Sequence, residues 1–151
     1  MNRFIKPWTW LLALLCLGAG SQLSAGAADN KPFAEKKVVL QISDEDAYKQ
    51  TLVLNVASNL IKHYGPDQVD VEIVAFGPGL RLLFADNSNT GRIGSLSNDS
   101  GVRFSACMNT LSNMKKALGH EPALVSNASA VPAGVVRIVD LVGQGYILIK
   151  P

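Results

Sequence analysis

From residue 37 onward, short strand-like runs alternate with longer segments of helical periodicity. The runs "KVVLQI", "VDVEIVAFG" and "VRFSAC" are rich in β-branched residues and nearly continuous in hydrophobicity, which is typical of strands covered on both faces. "ASAV" and "YILIK" predict two more short strands. Because this alternation is typical of parallel sheets, we expect one doubly wound α/β domain. Its sheet should be mostly parallel, with about five strands and helices on both faces.

The longest predicted helix covers residues 43–65. Apolar residues recur there every four positions. The buried stripe that this spacing predicts comprises Tyr48, Leu52, Val56 and Leu60 and is widened by Val53, Ala57 and Tyr64. We expect Ser43 or Asp44 to cap the helix and Gly65 to end it. Further helices are predicted after the turn "GPG", over residues 108–119 and over residues 132–145. The polar, glycine-bearing segment 87–101 lacks periodicity and predicts a loop with room for one helical turn.

Residues 1–27 have the pattern of a cleavable export signal. A basic start is followed by the apolar run "WTWLLALLCLGAG" and by small residues that allow cleavage after Ala27 or Ala28. The apolar run has about a dozen residues, fewer than the roughly 20 that a membrane-spanning helix needs. We therefore expect a periplasmic protein with no membrane span after cleavage, the alternative being an uncleaved anchor. Residues 28–36 would form a flexible leader and residues 37–151 the domain.

Removal of the signal changes both the charge and the cysteine content. The chain has 14 Lys and Arg against 12 Asp and Glu, and Arg3 and Lys6 lie in the signal, so the mature chain has equal numbers of each sign. No basic stripe with interleaved aromatic residues is left, so nucleic acid is not an expected partner. Cys16 is also lost, and Cys107 then has no intramolecular disulfide partner.

Cys107 ends the predicted third strand, just ahead of the helix that begins near Asn109. The free amides and positive dipole end of that helix favour a thiolate, which would make Cys107 reactive. Cysteine is also among the most buried residue types, so a packing role is the alternative. On the strand, Cys107 shares a face with Arg103 and Ser105, opposite a more apolar face. This alternation favours an accessible thiol, and both interpretations stay open.

Four spans resemble the DsrE/DsrF-like family of sulfur-metabolism proteins. They are "VLNVASNLIKHYG", "VDVEIVAFGPGLRLLFADN", "GVRFSACMNTL" and "VPAGVVRIVDLVGQGYILIKP", and together they cover nearly the whole mature chain. The last span, with the pattern "VP-G-V--IV-L--QGY--IKP", is the most specific. The resemblance implies a doubly wound, flavodoxin-like fold and a homo-oligomer.

The same resemblance implies functional residues. In sulfur-relay members, a cysteine carries persulfide sulfur between a donor protein and an acceptor protein, and Cys107 matches that position in the "C-NTL" motif. Asn55 and Asn59 match recurrent asparagines of the first helix, and Gly77 and Gly79 match the glycine turn. Two features depart from the family: Phe76 stands where many relatives have His, and the chain has an export signal whereas named relay members act inside the cell.

Other residue patterns predict less. The turn "GPG" could bind an anion on the amides of the next helix. His63, His120 and the acidic run 44–46 lack the spacing of a metal site, so we expect neither a metal nor a cofactor. No catalytic triad, nucleotide-binding fingerprint or pair of catalytic carboxylates is present in the sequence. The leading hypothesis is an exported persulfide carrier that uses Cys107, with the Gly77–Gly79 loop and the amides near Asn109 around the sulfur. The alternatives are an oligomeric binding module with a structural Cys107, and an anion-binding protein.

Overall fold

The computed structural model describes residues 31–151, which form one five-stranded sheet flanked by helices. The elements follow in the order β1 (Lys36–Ile42), α1 (Ala47–Tyr64), β2 (Val69–Ala75), a 3-10 helix (Gly77–Leu83), α2 (Thr90–Ser100), β3 (Arg103–Cys107), α3 (Met108–Leu118), β4 (Ala128–Val131), α4 (Gly134–Gly143) and β5 (Ile147–Ile149). The predicted signal, residues 1–27, lies outside the described residues.

The sheet is parallel throughout, with strand order β4-β3-β2-β1-β5. The chain adds strands in one direction from β1 to β4 and then returns across the sheet through α4 to place β5 beside β1. Helices α1 and α3 and the 3-10 helix cover one face, and α4 covers the other. The predicted doubly wound α/β fold with helices on both faces is therefore confirmed.

The main hydrophobic core lies on the first face. Alternate residues of β1, β2 and β3 point there and pack against α1, against the 3-10 helix, and against single residues of the later helices. Phe104, Leu40, Leu54, Ile73 and Leu80 are among the largest of its fully buried side chains. The second face has a smaller apolar cluster, made of Val39, Val74, Ile138, Leu141 and Tyr146. Polar residues fill the rest of the space beneath α4.

Helix α1 begins later than the sequence predicts. Asp46 is its N-cap, and Oδ1 of Asp46 accepts a hydrogen bond from the Lys49 amide at 2.9 Å. The expected caps, Ser43 and Asp44, precede the helix, so that prediction was wrong. Asp46 lies closer than Ser43 or Asp44 to the first buried residue of the helix, Gln50. Its carboxylate satisfies one of the free amides at the helix start.

The buried face of α1 is rotated from the predicted four-residue repeat toward Val53 and Ala57, which were expected only to widen the stripe. It comprises Gln50, Val53, Leu54 and Ala57. Tyr48, which the stripe would bury, is 73% exposed. Gln50 is tolerated inside because its amide group has partners: it donates to the Glu45 carbonyl at 3.2 Å and accepts from Asn87 at 2.9 Å. A satisfied amide can therefore replace an apolar residue on the helix face.

Residues 90–100 form helix α2, where the sequence predicts mostly a loop. That prediction was wrong because only Ile93 and Leu96 are buried in this helix of 11 residues, too few to produce a visible apolar period. Packing against the core stabilises the helix despite its polar composition. Gly101, with φ +64°, ends it in the left-handed conformation that glycine adopts without strain.

The end of the predicted leader is attached to the domain. Lys31 Nζ donates to the backbone carbonyls of Pro66, Val69 and Ser100. These carbonyls lie near the start of β2 and at the end of α2, so one lysine ties two connections together. Within residues 31–151, none of the helices has both the length and the apolar content to cross a bilayer.

Gly79 lies where the 3-10 helix contacts the end of β1. A Cβ at Gly79 would lie 2.5 Å from the Ile42 carbonyl oxygen, closer than any ordinary contact. We expect Gly79→Ala to lower the free energy of unfolding by about 2 kcal/mol or more, because the backbone would have to move. Gly94→Ala is the matched control, since nothing lies within 4 Å of its added Cβ. Alanine should stabilise that helical position by up to about 1 kcal/mol. Equal stability of the two variants in chemical denaturation would contradict this assignment.

Candidate functional site

Cys107 is the last residue of β3 and the N-cap of α3. A strand that runs straight into a helix places its final side chain among the free amides of the first turn. Cys107 also neighbours Val131 in the sheet register, and Val131 leads into the start of α4. The thiol therefore lies between the N-terminal ends of two helices, α3 and α4.

Neutral donors from both helices surround the sulfur. The backbone amides of Asn109 and Thr110 come from α3, the amide of Gly134 comes from α4, and the Thr110 hydroxyl is a side-chain donor. The thiol accepts no capping hydrogen bond of full geometry. These groups therefore act on it as directed dipoles, whose interaction strengthens when the sulfur carries a negative charge.

The glycine turn orients the Thr110 hydroxyl. The Gly77 amide donates to Thr110 Oγ1 at 2.9 Å, which occupies an acceptor position of that oxygen. The single hydroxyl proton is then free to point toward the sulfur. The Gly77–Gly79 loop therefore acts on the thiol indirectly: the Gly77 amide orients the Thr110 hydroxyl. Gly79 packs on β1, as described above, and plays no direct part at the sulfur.

Gly134 allows α4 to approach the thiol closely. A Cβ at this position would lie 3.0 Å from the Phe76 Cβ and 3.3 Å from the Cys107 Cβ. A larger residue would push the helix start away from the sheet. Gly134 is the glycine of the "VP-G" pattern, so this contact explains part of the most specific motif in the sequence. The Phe76 side chain adds an apolar wall beside this contact.

These contacts set the pKa of the Cys107 thiol. Burial by itself raises the pKa, but the Thr110 hydroxyl and the backbone amides of Gly134, Thr110 and Asn109 outweigh it, and the net pKa lies below that of an ordinary thiol. The groups that stabilise the thiolate most are all neutral donors. None of them is a cation.

The thiol is less accessible than the sequence indicates. Cys107 is 5% exposed, and Ser105, on the same face of β3, is 4% exposed. The expected exposure of this polar face was wrong because α4 crosses it and covers both residues. A crevice of about 280 Å³ lies at the junction of β4 and α4, and its wall includes Val131, the neighbour of Cys107 in the sheet register. It is lined by Val131, Pro132, Ala133, Val136, Arg137 and Asp140.

A charged cluster lies under α4 on the same face as Cys107. Glu72 is 0% exposed, and its carboxylate accepts from Ser105 at 2.6 Å, from Arg103 at 3.0 Å, and from Arg137 at 2.7 Å to each oxygen. Burial by itself raises the pKa of Glu72, but the hydrogen bonds from Arg137 and Ser105 and the charge of Arg103 lower it overall. Glu72 is therefore an ionised carboxylate held between two guanidinium groups.

The cluster continues to Tyr146, just before β5. The Tyr146 hydroxyl donates to Asp70 and accepts from Arg103 Nη2 at 2.8 Å. Burial and the hydrogen bond to Asp70 raise the pKa of Tyr146 to about 12, so the phenol stays protonated. Arg103 Nη1 also lies 3.0 Å from both Asp70 oxygens, only one of which accepts a well-directed hydrogen bond. Two acids and two arginines make the cluster neutral.

This cluster was not among the sites predicted from the sequence. Its signal was the alternation in "VDVEIVA", where Asp70 and Glu72 occupy one face of a strand whose other residues are apolar. Two carboxylates inside an otherwise buried strand require partners of opposite charge. Arg103, in the next strand, and Arg137, in the last helix, are the partners that this rule demands.

The predicted asparagines lie in different places. Asn109 lies beside Cys107, and its amide also donates to the Pro132 carbonyl at 3.3 Å, which joins the start of α3 to the approach of α4. Asn55 and Asn59 are exposed on α1, and Asn55 accepts from Arg92 of α2 at 2.8 Å. This hydrogen bond links α1 to α2. Across residues 31–151, no group of three His, Cys, Asp or Glu side chains is placed to hold a metal ion.

We expect Thr110→Val to raise the pKa of the Cys107 thiol, because the variant lacks the hydroxyl that stabilises the thiolate. The loss of one such hydrogen bond should decrease the acid dissociation constant about tenfold. The measurement is a titration of thiolate ultraviolet absorbance in a chain carrying Cys16→Ser, so that Cys107 is the only thiol. Thr110→Ser keeps the hydroxyl and is the matched control. Identical titrations of the valine and serine variants would show that the hydroxyl has no such effect.

Comparisons with known proteins support the fold. No family model matches the chain, and no curated protein matches it significantly. Among solved structures, the chain is similar to MTH1491 from Methanobacterium thermoautotrophicum, a protein of unknown function. The two sequences are 30% identical, the TM-score is 0.67, and the match covers 77% of this chain and 99% of that chain. The similarity confirms the α/β architecture and leaves ligand and activity to be inferred from the site.

Proposed function

This chain belongs to the same family as MTH1491, and we propose that it is an exported, DsrE/DsrF-like carrier that holds sulfane sulfur as a persulfide on Cys107. The observation that supports this proposal is the position of the sulfur at the meeting point of two helix N-termini. Amides from α3 and α4 and the Thr110 hydroxyl lower the pKa of a thiol that burial alone would make less acidic.

The chemistry needs a sulfur anion at two stages. The Cys107 thiolate attacks the terminal sulfur of a donor persulfide, the sulfur–sulfur bond of the donor breaks, and the donor leaves as a thiolate with the bonding electron pair. The product on Cys107 is again a sulfur anion, one atom further out. An acceptor thiolate then removes that terminal sulfur and regenerates the Cys107 thiolate. Donors directed at this position stabilise the anion before and after transfer.

The low exposure of Cys107 suits a carrier. A persulfide reacts readily with other thiols, so a 5% exposed sulfur beside the Phe76 side chain is sheltered between transfers. The crevice of about 280 Å³ at the β4–α4 junction gives a small donor a place to approach. Its lining includes both Arg137 and Asp140, so it offers a charge of each sign to a polar donor.

We expect the protein to gain one sulfur atom when it is incubated with a small persulfide donor. The measurement is intact mass, with Cys107→Ser as the matched control in the Cys16→Ser background. The added sulfur should be present on the parent, absent from the Cys107→Ser chain and lost on reduction. An unmodified mass under conditions that modify a free small-molecule thiol would refute the carrier function. The non-catalytic binding module would then be the better description.

A homo-oligomer is a second proposal, supported by an exposed apolar surface. The outer side of α4 and the edge strand β5 have exposed large apolar side chains, which we call the α4–β5 face: Val135, Val136, Val139, Val142 and Leu148. Val135, Val139 and Val142 follow helical spacing and form one stripe, and Val139 is 65% exposed. A contiguous apolar surface of this kind is typical of protein interfaces.

On the sheet face that α4 covers, the width of the sheet gives a reason for an interface between two copies of the chain. Five strands at a spacing of about 4.8 Å span roughly 19 Å, whereas one helix with its side chains is about 10–12 Å across. Helix α4 therefore covers about half the width of the sheet that it crosses. A second copy of the chain, placed against the α4–β5 face, would cover both the exposed valines and the neighbouring sheet edge.

We expect Val139→Glu to dissociate the oligomer, because a charge in an apolar interface loses hydration without gaining a partner. Leu118→Glu is the matched control: Leu118 is 45% exposed at the end of α3, outside the α4–β5 face. Sedimentation equilibrium should show a multiple of the chain mass for the parent and for Leu118→Glu, and the single-chain mass for Val139→Glu. A parent that sediments as a single chain at micromolar concentration would contradict the proposal.

A further inference from the structure

Helix α4 is attached to the sheet by an ion pair whose acidic member is completely buried. Arg137 Nε and Nη2 donate to the two oxygens of Glu72, each at 2.7 Å. This two-point contact fixes the orientation of the guanidinium as well as its distance from the carboxylate. Glu72 is in turn held by Ser105 and Arg103 on the neighbouring strand. The carboxylate therefore has one defined position on the sheet.

Arg137 lies in the first turn of α4, the same turn that meets the thiol. The helix begins at Gly134, and the Arg137 amide donates to the Ala133 carbonyl at 3.0 Å, closing the first hydrogen-bonded turn. The Gly134 amide, which acts on the Cys107 sulfur, is three residues before Arg137. Because the two residues share one helix turn, an ion pair that fixes Arg137 also constrains the backbone that carries the Gly134 amide.

The contact at Gly134 has little freedom. Even a single added carbon would lie 3.0 Å from Phe76 and 3.3 Å from Cys107, so the helix start already lies against the sheet. The interaction of an amide dipole with a sulfur anion falls steeply with distance and angle. Small changes in the height of this turn should therefore change the stability of the thiolate.

We propose that Glu72 and Arg137 are positioning residues for Cys107. Their ion pair sets the height of the first turn of α4 over the sheet and so holds the Gly134 amide against the sulfur. This inference rests on the proposed role of Cys107 and adds to it the device that keeps one wall of the site in place.

Stability alone is a weaker explanation for this ion pair. Removing ionised groups from water is costly, and well-packed apolar residues often replace buried ion pairs without loss of stability. What an apolar pair would not supply is a two-point contact that fixes one helix turn. Tyr146 offers the contrast, because it belongs to the same buried cluster but binds Asp70 and Arg103 beyond the far end of α4.

The test compares three variants in the Cys16→Ser chain by thiolate absorbance titration and thermal unfolding. Arg137→Met removes the ion pair, Arg137→Lys keeps the charge but loses the two-point contact, and Tyr146→Phe removes hydrogen bonds of the cluster that do not reach α4. We expect Arg137→Met to decrease the acid dissociation constant of the thiol about tenfold. Arg137→Lys should give a smaller decrease. Tyr146→Phe should lower the melting temperature and leave the thiol titration unchanged.

The lysine variant separates position from charge. Because it keeps the positive charge, a decrease in its thiol acidity indicates a displaced amide and not a lost cation. It also keeps the proposal testable if Arg137→Met does not fold. Identical titrations of Arg137→Lys and the parent would overturn the proposal, as would a shift of equal size in Tyr146→Phe.

The thiol titrations of the Arg137 variants test the positioning role independently of sulfur transfer. If the parent takes up no sulfur from a persulfide donor but Arg137→Lys still shifts the thiol titration, the carrier function fails and the positioning role stands. If the parent takes up sulfur but the titrations are the same, the positioning role fails and the carrier function stands.

Discussion

The arrangement at Cys107 depends on how a single helix crosses the second face of the sheet. Helix α4 covers the polar side of β2 and β3, supplies an amide to the thiol, and connects β4 to β5 across the sheet. Gly134 permits the close approach at one end of this helix, and Tyr146 lies beyond its other end. A thiol at the same point of β3 without α4 above it would have the amides of α3 alone and would face solvent.

The buried charges beneath α4 fit the same arrangement. Asp70 and Glu72 are both 0% exposed, and ions in such positions are tolerated only when hydrogen bonds to groups of opposite charge hold them. Two arginines from different elements supply those bonds, one from the adjacent strand and one from α4. The cluster thus links the sheet to the helix at a defined distance, while the apolar contacts of Ile138 and Leu141 exclude water from it. Hydrophobic contact alone would leave the helix freer to slide.

Much of this fold follows from patterns that are local in the sequence. The strands of the sheet and helix α3 were predicted near their observed positions because they are apolar runs or end at glycine. Helix α2 was missed because its stability comes from two side chains that reach the core, which no local pattern shows. At the site, the dipole of α3 beside Cys107 could be predicted from the strand-to-helix junction. The contribution of Gly134 could not, because it depends on α4 crossing the sheet about 30 residues further along the chain.

Cys107 is a buried thiol made acidic by the ends of two helices. The most direct test is the pKa of this single thiol in the folded parent chain with Cys16→Ser, measured by thiolate absorbance with the Cys107→Ser chain as the blank. We expect the pKa of Cys107 to lie below that of an ordinary thiol, despite 5% exposure. A pKa above the ordinary value would mean that burial outweighs the helix amides, and it would contradict the account.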